Sequence, residues 1–307
     1  MGARFCFGPA PRLPTLAILT EDRIAMTLVP ETPSRLRVQP MSRLTGGPRW
    51  QVESMRALRE PALLWFSQGQ GRITLAGRTR GFHANNAIFI PPETMHGFAV
   101  THRANGAAVF FGRDCALDLP QAPHHFRLRS KTEQIELAAI IDNIQRELAS
   151  TRTGGDIAAR HHLGLLGVWI ARQLAEHEDD SAGIGHRASE RLAGRYAALL
   201  EREFRSGFGV ADYARALGVT PTHLTRACKA SCARTAHDLL QDRRLFEARR
   251  LLLETRLPVQ DIARALGYST PGYFTRNFQL HAGQTPSAFR RNGGAAPKDV
   301  VRMRPTF

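Results

Sequence analysis

Two short sets of side chains have the types and the spacing of a hydrogen-bonding surface on a helix. Positions i, i+3, i+4 and i+7 lie on one helical face, so residues with this spacing point the same way. Hydroxyl, guanidinium and ammonium groups at such positions donate hydrogen bonds to planar acceptor pairs and to phosphate oxygens. The first set is Thr222, Thr225, Arg226 and Lys229, and the second is Gly272, Thr275, Arg276 and Gln279.

The two sets belong to a duplicated segment. "DYARALGVTPTHLTRACK" (212–229) is repeated as "DIARALGYSTPGYFTRNF" (261–278), with one extra residue in the second turn near Ser269 and Thr270. The first part aligns at an offset of 49 residues and the part after the glycine at an offset of 50. The order and length of the match indicate a true internal repeat.

Each copy predicts a helix, a tight turn and a second helix. In the first copy Val210, Tyr213, Ala214 and Leu217 recur at helical spacing, and a glycine then supplies a left-handed turn position. Thr220 before Pro221 predicts an N-cap with proline at the first helical position. The second helix would bury Leu224 and Cys228, and its counterpart would bury Phe274 and Phe278.

A single pattern of this kind is more often an ordinary helical hairpin, but the duplication favours paired helix-turn-helix units. The segment "DRRLFEARRLLLE" (242–254) predicts a strong helix between them. That helix would hold the two units in a fixed relation, as engagement of successive major grooves about 34 Å apart requires.

From these motifs, residues 189–292 resemble the DNA-binding domain of the AraC/XylS-type transcriptional regulators. The resemblance is most specific over "IARALGYSTPGYFTRNFQLHAGQTPSAFR" (262–290), with its Gly283-x-x-Pro286 and its Phe289-Arg290 ending. The first copy departs from the family pattern in three places that affect packing behind the recognition helix. Cys228 replaces the usual phenylalanine, Ala233 the usual glycine and Ala236 a common proline.

The resemblance implies double-stranded promoter DNA, RNA polymerase and a second copy of the chain as partners. Matching positions carry over as base-facing residues, with Arg226 able to contact either a guanine or a phosphate. Pro271 would shape the start of the second recognition helix, and Arg290 would contact phosphate. The predicted DNA-binding residues are Thr222, Thr225, Arg226, Lys229, Pro271, Gly272, Thr275, Arg276 and Arg290.

The N-terminal part has the pattern of a small antiparallel β-barrel or sandwich. Short β-rich runs at 62–69, 72–77, 86–92 and 96–100 are separated by glycine, asparagine and proline. Residues 45–115 loosely resemble the cupin-like sensor barrel of many AraC-type regulators. The predicted fold class is therefore α+β, a cupin-like antiparallel barrel with helices followed by an all-α domain.

This barrel predicts a small-molecule effector and no metal cofactor. Residues 50–80 contain no His-x-His pair of the kind that catalytic cupins use, and only His96 stands at the later ligand position. His96 is then a turn or pocket residue. The residues that could line a pocket in the barrel mouth, each also a possible core residue, are Trp65, Phe66, Arg72, Phe82, His96 and Phe98.

Two predicted helices follow the barrel, at 132–150 and 156–177. They either cover the barrel or form a dimer interface, and the two roles are compatible. The first places Ile135, Leu137, Ala138, Ile141, Ile144 and Leu148 close to one stripe. The expected organisation is an N-terminal extension (1–40), the barrel (41–125), a helical segment (126–178), a linker (179–188), the DNA-binding domain (189–292) and a tail (293–307). Its helix-turn-helix units span about 210–230 and 259–280.

Composition agrees with a basic, two-domain protein. The chain of 307 residues has a net charge of +15, and residues 189–292 hold 17 Lys and Arg against 9 Asp and Glu. No apolar run reaches the length of a membrane span. Four scattered cysteines suit a reducing cytoplasm, with Cys228 and Cys232 expected as small buried side chains, and Met26 is a candidate start of the functional chain.

Three function classes compete on this sequence. The first is a DNA-binding transcriptional regulator, expected to be an activator, which senses an effector through its N-terminal domain. The second is a cupin-type enzyme with an accessory helical domain, which the missing histidine pair disfavours. The third is a nucleoid-type or repair protein that binds DNA without selecting one promoter.

Overall fold

The computed structural model describes residues 35–100, 104–182 and 188–295. Its N-terminal part begins with a strand, two short helices and a set of further strands. The strands are β1 (Arg37–Pro40), β2 (Ala62–Gln68), β3 (Gly71–Leu75), β4 (Arg78–Phe82), β5 (Asn86–Ile90), β6 (His96–Val100), β7 (Asn105–Phe110) and β8 (His124–Arg127). The short helices are α1 (Met41–Thr45) and α2 (Arg49–Glu53).

Longer helices make up the rest of the described chain. Two follow the strands, α3 (Lys131–Ala149) and α4 (Gly155–Ala182). The C-terminal part contains α5 (Ala188–Glu203), α6 (Val210–Ala216), α7 (Pro221–Cys232), α8 (Ala236–Glu254), α9 (Val259–Ala265), α10 (Pro271–Ala282) and α11 (Pro286–Arg291). The expected α+β class, with antiparallel sheets before a helical domain, is confirmed.

The strands form two antiparallel sheets. One has the order β1-β7-β2-β5-β8 and the other the order β4-β3-β6. A core between the sheets contains Phe66, Ile73, Phe82 and Phe98. A second core lies between the five-stranded sheet and helices α3 and α4 and includes Leu63, Phe89, Leu137 and Trp169.

Strand β2 is covered on both of its faces. Leu63 and Trp65 face the helices, whereas Leu64 and Phe66 face the other sheet. Because both faces of the strand are covered, "ALLWF" is apolar without interruption. The near-continuous hydrophobic run is therefore a consequence of burial on two sides.

Helices α3 and α4 pack on the barrel, as expected for a cover. Ser130 caps α3 by accepting from Glu133 N at 3.1 Å, and Glu133 reaches back to Ser130 N at 3.3 Å. This is a capping box, and its cap lies two residues before Thr132, the first residue of the predicted helix. The placement of Ile135 in the packed stripe is wrong, because its side chain is 68% exposed.

Several expected boundaries also need correction. Residues 37–40 form a strand paired with β7, so the N-terminal extension cannot reach residue 40. The barrel continues past residue 125, since β8 ends at Arg127. Helix α4 extends through Ala182 and α5 begins at Ala188, so residues 179–182 and 188 of the expected linker are helical, and residues 183–187 lie outside the described residues. Residues 1–34, including Met26, and the tail after residue 295 lie outside the described residues.

The C-terminal helices surround α8. The Tyr196 hydroxyl on α5 donates to the Ala236 carbonyl at 2.7 Å, and both residues are buried. Arg244 on α8 donates to the carbonyls of Phe204 and Phe208 at 2.7 and 3.1 Å. Among the described residues, no helix is both long and apolar enough to cross a bilayer.

Candidate nucleic-acid interface

The two repeat copies fold as two helix-turn-helix units with matching turns. Gly218 follows α6 and Gly267 follows α9, and both have φ of 71°, a left-handed value that glycine adopts without a Cβ clash. Thr220 accepts from His223 N and Thr270 accepts from Tyr273 N, each at 3.2 Å. These threonines cap α7 and α10, which are therefore the two recognition helices.

The recognition helices bury one face and present the other. Leu224 and Cys228 on α7, and Phe274 and Phe278 on α10, are 0% exposed. The predicted outward positions are exposed or partly exposed in both helices. Exposed residues are Thr222, Arg226, Lys229, Pro271, Gly272, Arg276 and Gln279, and partly exposed residues are Thr225 and Thr275.

Arg226 and Arg276 have no hydrogen-bond or ion-pair partner in the described part of the chain. The arginines on the preceding helices do form ion pairs: Arg215 pairs with Asp212 at 3.1 Å, and Arg264 pairs with Asp261 at 3.3 Å. Each unit thus keeps one arginine engaged and one guanidinium available. An available guanidinium can bind two acceptors of a guanine or one phosphate.

The second recognition helix carries two exposed apolar side chains that the sequence analysis did not select. Tyr273 is 45% exposed and Leu280 is 80% exposed. They are seven residues apart, so they lie on one side of the helix. The sequence signal that could have identified these two exposed side chains was their helical spacing next to Arg276.

Arg290, which was expected to contact phosphate, makes hydrogen bonds inside the domain. Its Nε donates to the Leu252 carbonyl at 3.1 Å and its Nη2 to the Leu257 carbonyl at 2.6 Å. These bonds tie α11 to the end of α8 and its following turn, because helix-terminal carbonyls need donors. Arg290 therefore has a structural role in the domain, and its contact with phosphate stays a prediction.

A buried ionic network around Glu247 joins α8 to α5 and to the turn that follows α5. The carboxylate accepts from Arg205 at 2.6 Å, Arg250 at 2.7 Å and Arg243 at 3.3 Å. Arg243 also binds Glu201 on α5 at 2.7 Å. Burial opposes ionisation, but the hydrogen bond from Arg250 and the neighbouring positive charges hold the pKa of Glu247 well below its ordinary value. Much of the positive charge of α8 is consequently internal.

The residues expected to line a barrel pocket do not form one. Phe66 and Phe82 are 0% exposed and stack with ring centroids 4.0 Å apart inside the barrel core. Phe98 belongs to the same core, whereas Trp65 packs on the opposite face of the sheet toward the helices. Arg72 is exposed on the outer face of β3. The grouping is wrong because the sheet faces separate these side chains.

His96 is buried at the start of β6. Its Nδ1 contacts the Thr94 carbonyl at 2.9 Å, and burial, with the charge of nearby Arg56, lowers its pKa to about 3. Within the described residues, no group of three or more His, Cys, Asp or Glu is placed to hold a metal. Cys228 and Cys232 are buried, as expected, and the Cys232 thiol donates to the Cys228 carbonyl.

Contacts between the barrel and the helical domain were missed from the sequence. Trp50 on α2 packs against Phe246 and Phe289, with ring centroids 6.2 and 5.8 Å apart. Ser231 on α7 donates to the Gly77 carbonyl at 2.7 Å in the turn between β3 and β4. No local pattern predicts such contacts, because their partners are 154 or more residues apart.

Comparison with known proteins identifies the helical domain. A family model described as a helix-turn-helix domain matches residues 213–292. A probable transcription factor of Proteus vulgaris, PqrA, is 36% identical over 87 residues, which are 28% of this chain and 71% of PqrA. The chain belongs to the AraC/XylS-type family of transcriptional regulators.

Other relatives of this AraC-type chain match over part of their length. The transcriptional regulator GlxA of Rhizobium meliloti is 29% identical over half of this chain and 47% of its own length. The arabinose operon regulatory protein of Escherichia coli is 29% identical over 31% of this chain and 33% of its own length. The chain therefore spans less than half the length of these two relatives.

Two solved structures are similar to this chain, both with low TM-scores. The AraC-type regulator of Chromobacterium violaceum is 25% identical over 34% of this chain and 94% of its own, with a TM-score of 0.31. Apo ToxT from Vibrio cholerae is 10% identical over 85% of this chain and 98% of its own, with a TM-score of 0.42.

Proposed function

We propose that this AraC-type chain is a sequence-specific DNA-binding regulator of transcription that responds to a small organic effector. The observation that carries the proposal is the matched exposure of α7 and α10. Each helix buries its apolar face and presents a threonine and an unpartnered arginine at equivalent positions. Two such helices in one chain suit adjacent half-sites without requiring a palindrome.

The two units are expected to read DNA unequally. The first offers Thr222, Thr225, Arg226 and Lys229, whereas Gly272 removes one side chain from the second. The second unit then depends more on Arg276, on backbone contacts and on DNA shape. Each arginine that pairs with a guanine adds about 1–3 kcal/mol of discrimination against other bases.

A second copy of the chain is the partner that fits helices α3 and α4. Ile135, Ile157, Leu165 and Val168 are 47–68% exposed on this helix pair. Residues 157, 165 and 168 share one side of α4, as a face for another helix would require. A two-fold interface is the commonest form of self-association and would bring two DNA-binding domains together.

Enzymatic activity is not part of the proposal. His96, which stood at the position of a later cupin ligand, is buried and bonded to a backbone carbonyl. The barrel core around Phe66 and Phe82 is filled by packed side chains and offers no substrate space. GlxA and PqrA, to which this chain is similar, are named as a transcriptional regulator and a probable transcription factor.

Selection from random double-stranded DNA tests the proposal. The full chain should enrich one asymmetric motif with two base clusters, and its affinity for that motif should exceed that for unrelated DNA by at least about a thousandfold. Equal affinity for both DNAs would instead support the nucleoid-type alternative. Raising the salt concentration should weaken both complexes, because phosphate neutralisation releases counterions.

A further inference from the structure

Tyr273 is an exposed aromatic side chain close to the start of the second recognition helix. It is the third residue of α10 and is 45% exposed. Residues at the N-terminal end of a recognition helix are the ones that contact base edges in the major groove. Leu280, the other exposed apolar residue of α10, lies about 10 Å further along the helix axis. Tyr273 is therefore the better placed of the two to contact a base pair.

The ring of Tyr273 rests on a buried neighbour, Tyr268, with ring centroids 5.9 Å apart. Tyr268 is 7% exposed, and its own ring packs edge-on against Phe274 at 5.1 Å. The Tyr268 hydroxyl donates to Asn277 Oδ1 at 3.4 Å. A fixed support restricts the rotamers of an exposed ring, so less entropy is lost when that ring is ordered against DNA.

The helix surface beside Tyr273 is open at Gly272. A Cβ at this residue would meet no atom within 4 Å, and its φ is not left-handed, so neither packing nor backbone conformation requires glycine. Arg276 follows Tyr273 by one helical turn, which places their Cβ atoms about 5–6 Å apart. A base edge can thus approach the bare surface at Gly272 and contact Tyr273, while Arg276 contacts a neighbouring base pair.

The first recognition helix has different residues at these two positions. With the offset of 50 residues between the copies, His223 is equivalent to Tyr273 and Thr222 to Gly272. Both residues of the first helix are exposed and carry hydrogen-bonding side chains. The second helix replaces that polar pair by a bare backbone and an aromatic ring.

We propose that Tyr273 determines specificity in the second unit by contacting the C5-methyl group of a thymine in the major groove. The inference rests on the proposed sequence-specific DNA binding. Thymine is the one base of the four that presents a methyl group in this groove, and apolar side chains recognise it by contact. The supported ring of Tyr273 covers the methyl group and removes it from water. The second unit therefore selects thymine by apolar contact at the place where Gly272 has no hydrogen-bonding side chain.

Replacement of thymine by deoxyuridine in the selected DNA motif tests this contact, because the two nucleotides pair alike and differ only in the methyl group. Each thymine of the second half-site is replaced in turn, and the affinity of the full chain is measured by fluorescence anisotropy. One replacement should weaken binding about fourfold, which corresponds to the burial of one methyl group.

Three variants connect that effect to the aromatic ring. Tyr273→Ala should bind the thymine and deoxyuridine sites with equal affinity, whereas Tyr273→Phe keeps the ring and should keep the fourfold preference. His223→Ala is the matched control at the equivalent position of α7, and it should also keep the preference. Each variant should still discriminate bases in the first half-site or in the second, which shows that it is folded.

Four results would overturn the assignment: a motif without thymine in the second half-site, no effect of deoxyuridine there, an unchanged thymine preference in Tyr273→Ala, or a lost preference in Tyr273→Phe. The last would show that the hydroxyl acts instead of the ring. If the selection enriches a motif but these tests fail, only the role of Tyr273 is wrong. If no motif is enriched, sequence-specific regulation itself fails, and the role of Tyr273 with it.

Discussion

Ala233 and Gly283 occupy equivalent positions at the ends of the two recognition helices, and both are left-handed. Their φ angles are 56° and 70°, and each backbone N–H bonds to the carbonyl four residues earlier. Glycine suits this C-terminal position, whereas alanine is strained there by about 1–2 kcal/mol. Alanine at residue 233, where the family pattern has glycine, is therefore strained in a C-terminal geometry that both copies share.

Replacing Ala233 by glycine should raise the free energy of unfolding by about 1 kcal/mol, because the strain disappears while the unfolded chain gains some freedom. The reciprocal change Gly283→Ala should lower it by a similar amount. Urea denaturation of the full chain measures both. A destabilised Ala233→Gly variant would show that the left-handed geometry at residue 233 carries no strain.

The Glu247 network should stabilise the whole helical domain. Glu247→Gln leaves Arg243, whose side chain is 6% exposed, with one of its two carboxylates, at a cost of about 3 kcal/mol. Glu254→Gln is the control, since Glu254 is 48% exposed and its bond to Arg250 contributes about 0.5 kcal/mol at most. Thermal unfolding compares the two variants, and equal melting temperatures would contradict a structural role of the network.

Acid should destabilise the chain partly through His96. Its pKa is about 3 in the folded protein and about 6.5 when unfolded, so only the unfolded state takes up the proton between these values. The stabilisation is present above pH 6.5 and declines as pH falls, by about 2 kcal/mol between pH 6.5 and 5.

The comparison variant is His96→Asn, which does not titrate and keeps a donor for the Thr94 carbonyl. In both proteins residue 96 is buried and lies near the positive charges of Arg56 and Arg243. The difference in unfolding free energy between the two proteins should shrink as pH falls from 7 to 5. A pH-independent difference would show that His96 is not held neutral.

Self-association should depend on the exposed face of α4. Leu165→Glu places a charge where a partner helix is expected, so the sedimentation coefficient should shift from dimer to monomer. Arg160→Glu, on a neighbouring exposed position, tests whether any added negative charge has this effect. A parent protein that is monomeric at all concentrations would remove the proposed interface.

The recognition helices were predictable because their signals are local. Glycine at 218, threonine caps at 220 and 270, and apolar spacing each specify a few neighbouring residues. The outward sets follow from that spacing alone. Comparison with the family pattern identified Ala233 as a departure, but it did not predict the left-handed backbone angle of this residue.

The separation of the expected pocket residues and the backbone contacts of Arg290 were not predictable in this way. The inward or outward direction of Trp65 and Phe66 depends on the helices that cover the second face of β2. Arg290 binds carbonyls 33 and 38 residues away, and Trp50 contacts residues about 200 positions later. Those pairings are set by tertiary packing, which a single sequence does not encode in any short window.

The most direct test of DNA reading compares Arg226→Ala and Arg276→Ala in binding to a randomised site library. Arg160→Ala removes the same charge from α4 and controls for electrostatics. Each recognition-helix variant should lose base preference at one position of its own half-site, with a cost of about 1–3 kcal/mol for the preferred base. A uniform loss of affinity across all sequences, or no change relative to Arg160→Ala, would contradict the assignment of these arginines as base readers.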